Sequence, residues 1–205
     1  MPAWLGRGIK VYPDTSNWER TVFSLLGIEI PTCLFSKEER SKLILAKDKI
    51  NKSPFILLAQ NTNRNEDSVE IWEEFEDLMA KNYLLDIEHL FTPNPKDEDS
   101  TILHYCGTNG NFVLFSKICH SKQFVKYVKN AIISTITTLV TCISDEKILQ
   151  TVFETCNWEE FTDDCKKIIF HHICDKNFIN CLHFVRSITT FDDFVQQILS
   201  TGNHS

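Results

Sequence analysis

Eight cysteines and seven histidines are the side chains here best suited to nucleophilic or metal chemistry, and they form two groupings. In STILHYCGTNGNF, Ser100 to Phe112, His104 and Cys106 stand two positions apart, residue types that together can make a base and its nucleophile. Further on come Cys156, Cys165, His171, His172, Cys174, Cys181 and His183, all zinc-ligand types. Spacing decides how much either grouping can do. On a helix, residues two apart point about 200° away from one another, so His104 and Cys106 cannot hydrogen-bond within it. A catalytic pair would need a partner from elsewhere. His171 and Cys174, at i and i+3, do share a face, yet the chain has no Cys-x-x-Cys and its spacing is not that of a zinc finger. A thiol- or zinc-dependent protein using residues 165–183 stands as the alternative, while no metal site and no cofactor is expected.

Other reaction signatures are missing. The sequence has no Gly-rich phosphate loop, no Gly-x-Ser-x-Gly, no His-Glu-x-x-His and no kinase motif set. Acidic neighbours such as Glu73/Glu74 and Asp163/Asp164 diverge on a helix and read as solvated faces, not as a general acid and base. No reaction is specified, and the chain is expected not to be an enzyme.

Composition narrows the partners. At 205 residues, with 42% hydrophobic residues and a formal charge of -7, the chain belongs to the globular class. It lacks a basic stripe that would neutralise phosphates, so nucleic acid is a poor partner. The opening MPAWLGRGIKVYPD does not have the form of a secretory leader, which with the scattered cysteines points to reduced thiols and a cytoplasmic protein. The most apolar run, Ala131 to Ile143, is too short and too rich in hydroxyls to cross about 30 Å of hydrocarbon, so no membrane span is expected.

The elements that must position these residues read as helices throughout, and the fold class is all-α. SNWERTVFSLLG places Trp18, Val22, Leu25 and Leu26 on one stripe and stops at Gly27. SKEERSKLILAKDKI offers Ser36 and Glu39 as a capping box. In SVEIWEEFEDLMAKNYLL, Trp72, Phe75, Leu78 and Met79 form a core-facing stripe between acidic residues. Three later segments repeat one pattern: TILHYCGTNGNFVLFSKI from Thr101, TTLVTCISDEKILQTVFE from Thr137, and IIFHHICDKNFINCLHFV from Ile168. Each has a short apolar start, a Gly, Asp or Asn break about nine residues in, and a second apolar segment. SPFILLAQN, from Ser53, starts the same way before a polar insertion.

The first of these segments resembles the ankyrin repeat, whose opening is Thr-Pro-Leu-His-x-Ala with a Gly closing the first helix. Here the residues are Thr101, Ile102, Leu103, His104, Tyr105 and Cys106, then Gly110. Ser53-Pro54-Phe55 echoes that opening; Thr137, Leu139 and Cys142 keep part of it, and Phe170-His171 keeps the Leu-His pair. The starts lie 48, 36 and 31 residues apart (53, 101, 137, 168), against a family period of about 33. The resemblance implies a stacked helix-pair solenoid: a helical cap over residues 1–50, about four divergent repeats over 51–190, and a closing helix and tail over 191–205, in one continuous folded unit. In it Phe194 and Ile198 pack inward. It further implies that His104 ties its turn through the ring nitrogens and that Cys106 and Cys142 fill the small buried position usually held by Ala. His171 would be the last unit's capping histidine, His172 exposed, and Cys174 and Cys181 core.

Stacks of this kind bind through the loops between units and the exposed side of each first helix. The projecting segments are Asn94–Ser100, with Asp97, Glu98 and Asp99, the stretch around Ser134, and Asn157–Asp164, with Glu159 and Glu160. Trp158 has the make-up of a binding hot spot, burial between units being its other reading. On the first-helix face the candidates are Tyr105, Thr108, Asn109, Thr141, Asp145, His172 and Lys176. The acidic segments favour a protein partner carrying a basic patch. By resemblance, the role is that of a small inhibitory ankyrin protein, including those with which pathogens sequester host regulators.

Overall fold

The computed structural model describes residues 88–190 continuously, together with residues 53, 56, 59, 60, 69, 72, 73, 76 and 193. The expected helices around Trp18 and Ser36, and the closing helix apart from Asp193, lie outside the described residues. Among these residues the secondary structure is helical: seven α-helices and one 3₁₀ turn, with a single isolated bridge and no strand. No described helix is long and apolar enough to cross a membrane. The chain divides into two compact units, Met1–Tyr105 and Cys106–Ser205.

In the first unit, α1 (Glu88–Phe91) buries Leu90 and Phe91. The following loop closes on itself through an antiparallel bridge between Asn94 and Ser100. The Asn94 carbonyl accepts from the amides of Asp97 (2.9 Å) and Asp99 (3.0 Å), while Glu98 and Asp99 take left-handed backbone angles. Trp72 is fully buried, as the stripe in that segment predicts, as are Ser53, Ile56 and Ala59. The Ile56 amide donates to Ser53 Oγ at 3.4 Å, a cap at the start expected for the first repeat.

α2 (Ile102–Asn109) runs across the division between the units. In the second unit follow α3 (Phe112–His120), α4 (Val125–Cys142), α5 (Glu146–Thr155), a 3₁₀ turn at Trp158–Glu160, α6 (Asp163–Lys176) and α7 (Ile179–Ile188). The breaks expected about nine residues into each segment fall where the helices stop, at 110–111, 143–145 and 177–178. The expected starts at Thr137 and Ile168 do not hold. Both residues lie inside helices that begin earlier, because α4 has 18 residues and α6 has 14, against 8 in α2.

α4 shows why that happens. Its Val128, Ala131, Ile132, Thr135, Ile136, Leu139 and Val140 are buried, an i, i+3, i+4 progression kept over three turns. β-Branched residues disfavour helix, but burying this stripe against α3, α5 and α6 outweighs the few tenths of a kcal/mol lost per residue. The threonines donate back to carbonyls one turn earlier, Thr135 to Ala131 at 2.7 Å and Thr138 to Thr135 at 3.0 Å. α3 packs on α5 and α5 on α7, while α4 packs on α6.

Two breaks use the same device. Gly110 (φ 64°) and Asn177 (φ 57°) end α2 and α6 in the left-handed region, and the next amide reaches five residues back: Asn111 to the Cys106 carbonyl and Phe178 to that of Ile173, both 2.9 Å. Asparagine does in the third pair what glycine does in the first, being among the few residues that tolerate that region. The middle break is extended instead. There the Ser144 amide and hydroxyl both donate to the Gly107 carbonyl, at 3.3 and 3.2 Å.

Candidate interaction site

His104 and Cys106 do not make a catalytic pair. His104 is buried, and its Nδ1 accepts from the Thr101 amide at 3.2 Å and lies 2.9 Å from Thr101 Oγ1. An amide donor on Nδ1 leaves the ring neutral with its proton on Nε2, and burial lowers its pKa to about 4. This is the turn-tying role that the resemblance implies. Cys106 is fully buried, and burial, with Cys119 beside it, pushes its thiol far above the ordinary range. Burial likewise raises Cys119 and Cys181 to about 12 and Cys156 to about 11. Such thiols stay protonated at neutral pH and make poor nucleophiles.

The C-terminal cysteines and histidines are dispersed in the same way. Among the described residues no three His, Cys, Asp or Glu side chains come together to hold a metal, and the seven described cysteines are free. Cys181 is core, as expected, but Cys174 is exposed and Cys142 is half-buried where both were expected inside. The two histidines exchange roles. His171 is exposed, whereas His172 is buried and donates from Nε2 to the Ile143 carbonyl at 2.9 Å. The phase of α6 decides it, because Ile169, His172 and Ile173 form its buried stripe. Burial lowers the His172 pKa, an effect the accepting carbonyl partly offsets.

Thr141 of α4 and Ile168, His171, His172, Asp175 and Lys176 of α6 line a cleft of about 330 Å³. It joins three residues expected on the first-helix face, Thr141, His172 and Lys176. Thr141 uses its proton internally, donating to the Thr138 carbonyl at 2.8 Å, and so turns acceptor lone pairs outward. Asp175 and Lys176 form an ion pair at 3.6 Å, and Ile168 adds an exposed aliphatic wall. The cleft offers a hydroxyl, an imidazole, both signs of charge and an apolar contact. Ile168, His171 and Asp175 were missed as contact residues from sequence, although 168, 171, 172 and 175 share one helical face, a signal the spacing does carry.

The other expected contacts fare differently. Tyr105 is buried and its hydroxyl donates to Asp97, so that ring and that carboxylate are occupied by each other. Glu98 and Asp99 are exposed at the loop tip and Asn109 is half-buried. Asp145 is the N-cap of α5, accepting from the Lys147 amide at 2.9 Å. Trp158 is buried, edge-on to Phe153 (centroids 5.7 Å apart) and to Phe161 (6.2 Å), with the Lys166 ammonium over its ring. It is a core residue and not an exposed hot spot. Glu159 pairs with Lys166 at 3.4 Å and Glu160 with Lys129 at 2.7 Å, so both acids already have lysine partners. Ser134 is no loop residue but lies in the middle of α4.

No protein-family model, curated protein or solved structure matches the chain.

Proposed function

We propose that this chain is a non-enzymatic protein-binding module built from stacked helix pairs of the ankyrin kind, holding an intracellular protein partner on the exposed side of its first helices, α4 and α6. The observation that carries this is a period. The second helices of the three pairs begin at Phe112, Glu146 and Ile179, 34 and 33 residues apart, close to the family's repeat of about 33. First helices of unequal length hide that regularity when the openings are aligned. The succession α3, α5, α7 along one row and α4, α6 along the other supports the same arrangement. Sequestering or recruiting the partner, as small inhibitory ankyrin proteins do, follows by analogy.

The cleft at Thr141, His171 and Asp175 is the docking position best supported, since all its lining residues except the buried His172 are exposed. Affinity capture combined with cross-linking tests it, comparing the wild type with a Thr141→Arg/His171→Glu variant and with Lys167→Glu, a charge change on α6 next to the cleft but outside its lining. A partner retained by the wild type and by Lys167→Glu but lost by the double variant is the expected result. Equal retention by all three proteins would remove the cleft from consideration.

A further inference from the structure

Between Asp99 and Asp145 the sequence has no acidic residue and four lysines, Lys117, Lys122, Lys126 and Lys129, in a chain whose formal charge is -7. The structure gathers these lysines at one corner, where α3 ends, residues 121–124 turn, and α4 begins. Lys117, Lys122 and Lys126 are exposed. Among the described residues, acids paired with groups at the corner include Glu160, which holds Lys129, and Glu154 of α5, 3.8 Å from His120.

Two further features mark the corner. α4 opens at Phe124 with no capping side chain and no acid in its first turn, whereas α3, α5 and α6 start on Asn111, Asp145 and Thr162. The first amides of an 18-residue helix thus add positive potential beside Lys122 and Lys126. The corner is also apolar: Val125 is 48% exposed, Tyr127 38% and Ile133 38%. Lys126, Asn130 and Ile133 share one face of α4, with Val125 and Tyr127 flanking Lys126, so charge and hydrocarbon alternate along it.

We propose that this corner docks an acidic segment of a partner protein, carboxylates meeting Lys117, Lys122, Lys126 and the start of α4, and an aliphatic side chain resting against Val125. Charge complementarity selects the occupant. An extended polyanion or a charged membrane would bring many phosphates near the rest of an acidic body, within roughly the 8 Å screening length, and be repelled. A short peptide touches only the corner and feels its local sign. The corner thus reverses the expectation of a basic partner, and it does not depend on the cleft or on the helix-pair period.

Fluorescence anisotropy with a labelled peptide of Asp, Glu and Leu, and with its Asn/Gln counterpart, tests the proposal on the full chain. The acidic peptide is expected to bind, more weakly as salt rises, with about a tenfold or greater loss in Lys122→Glu/Lys126→Glu and a smaller loss in Val125→Ser. Lys167→Glu serves as the control and should leave binding unchanged. Absence of binding, equal binding of the neutral peptide, or an unaffected double variant would each overturn it. So would vesicles containing phosphatidylserine that bind through these lysines while the peptide does not.

Discussion

Glu146 and Asn180, 34 residues apart, are joined by two hydrogen bonds, and a third from Cys181 completes a cap that the first residue of one helix places on another. Glu146 Oε1 accepts from the amides of Asn180 (2.6 Å) and Cys181 (3.0 Å), and Oε2 accepts from Asn180 Nδ2 at 2.8 Å. The N-cap of α7 is Phe178, whose side chain cannot cap, so the amides of Asn180 and Cys181 are satisfied by Glu146 of α5 instead. The carboxylate also complements the positive end of α7. A local capping signal has become a link between successive pairs.

Removing that link should loosen the end of the unit. Glu146→Ala is expected to lower stability by about 1–2 kcal/mol, and Glu146→Gln by less, since its amide oxygen can still accept. Urea unfolding midpoints measure both; an unaltered midpoint for the alanine variant would mean that the cap contributes nothing.

Trp158 and its neighbour Glu159 should separate cleanly. Trp158→Ala leaves a hole against Phe153 and Phe161 and is expected to cost about 3–5 kcal/mol. Glu159→Lys breaks a single ion pair whose carboxylate is exposed and should change stability by less than about 1 kcal/mol. Thermal melts of the two variants check the contrast.

His104 makes stability fall in acid. Its folded pKa of about 4 lies below the ordinary 6.5, so the unfolded chain binds the extra proton. Its contribution is intact above about pH 6.5 and is lost progressively as pH drops toward 4. His172, also lowered, acts in the same sense. Urea unfolding followed from pH 7.5 to 4.5 should show this decline, and His104→Gln should flatten part of it.

The left-handed helix ends should discriminate between residues. Gly110→Ala forces a β-carbon into φ 64° and is expected to cost about 1 kcal/mol, whereas Asn177→Gly should be neutral or slightly stabilising. Chemical denaturation of each variant gives the sign.

Thiol accessibility follows burial. Native-state labelling with N-ethylmaleimide, mapped by mass spectrometry, should modify Cys174 readily and leave Cys106, Cys119, Cys156 and Cys181 unmodified until the protein is denatured. Rapid labelling of Cys106 in the native state would contradict its placement.

Much of the second half of the chain can be read from local pattern. The apolar spacing of α4, the breaks at Gly110, Ser144 and Asn177, the Thr101–His104 contact and the burial of Cys106 all depend on residues within a few positions of one another. Helix periodicity and the scarcity of residues that accept left-handed angles are enough to show them. Helix starts were less legible, since α4 lacks a capping side chain, α6 has Thr162 but no proline after it, and both extend backwards wherever burial pays for it.

Long-range contacts settled the rest. Whether His171 or His172 faces inward turns on a 100° step of α6 relative to the Ile143 carbonyl, a group 29 residues away. Trp158 reads as a loop residue until Phe153 and Phe161 close around it, and Glu146 reads as an ordinary first-turn acid until α7 arrives. Composition and spacing alone determined the helical character of the described residues and the breaks that punctuate them. Only the tertiary structure decided which polar side chains are left to face a partner, because burial and pairing depend on neighbours that a one-dimensional pattern does not identify.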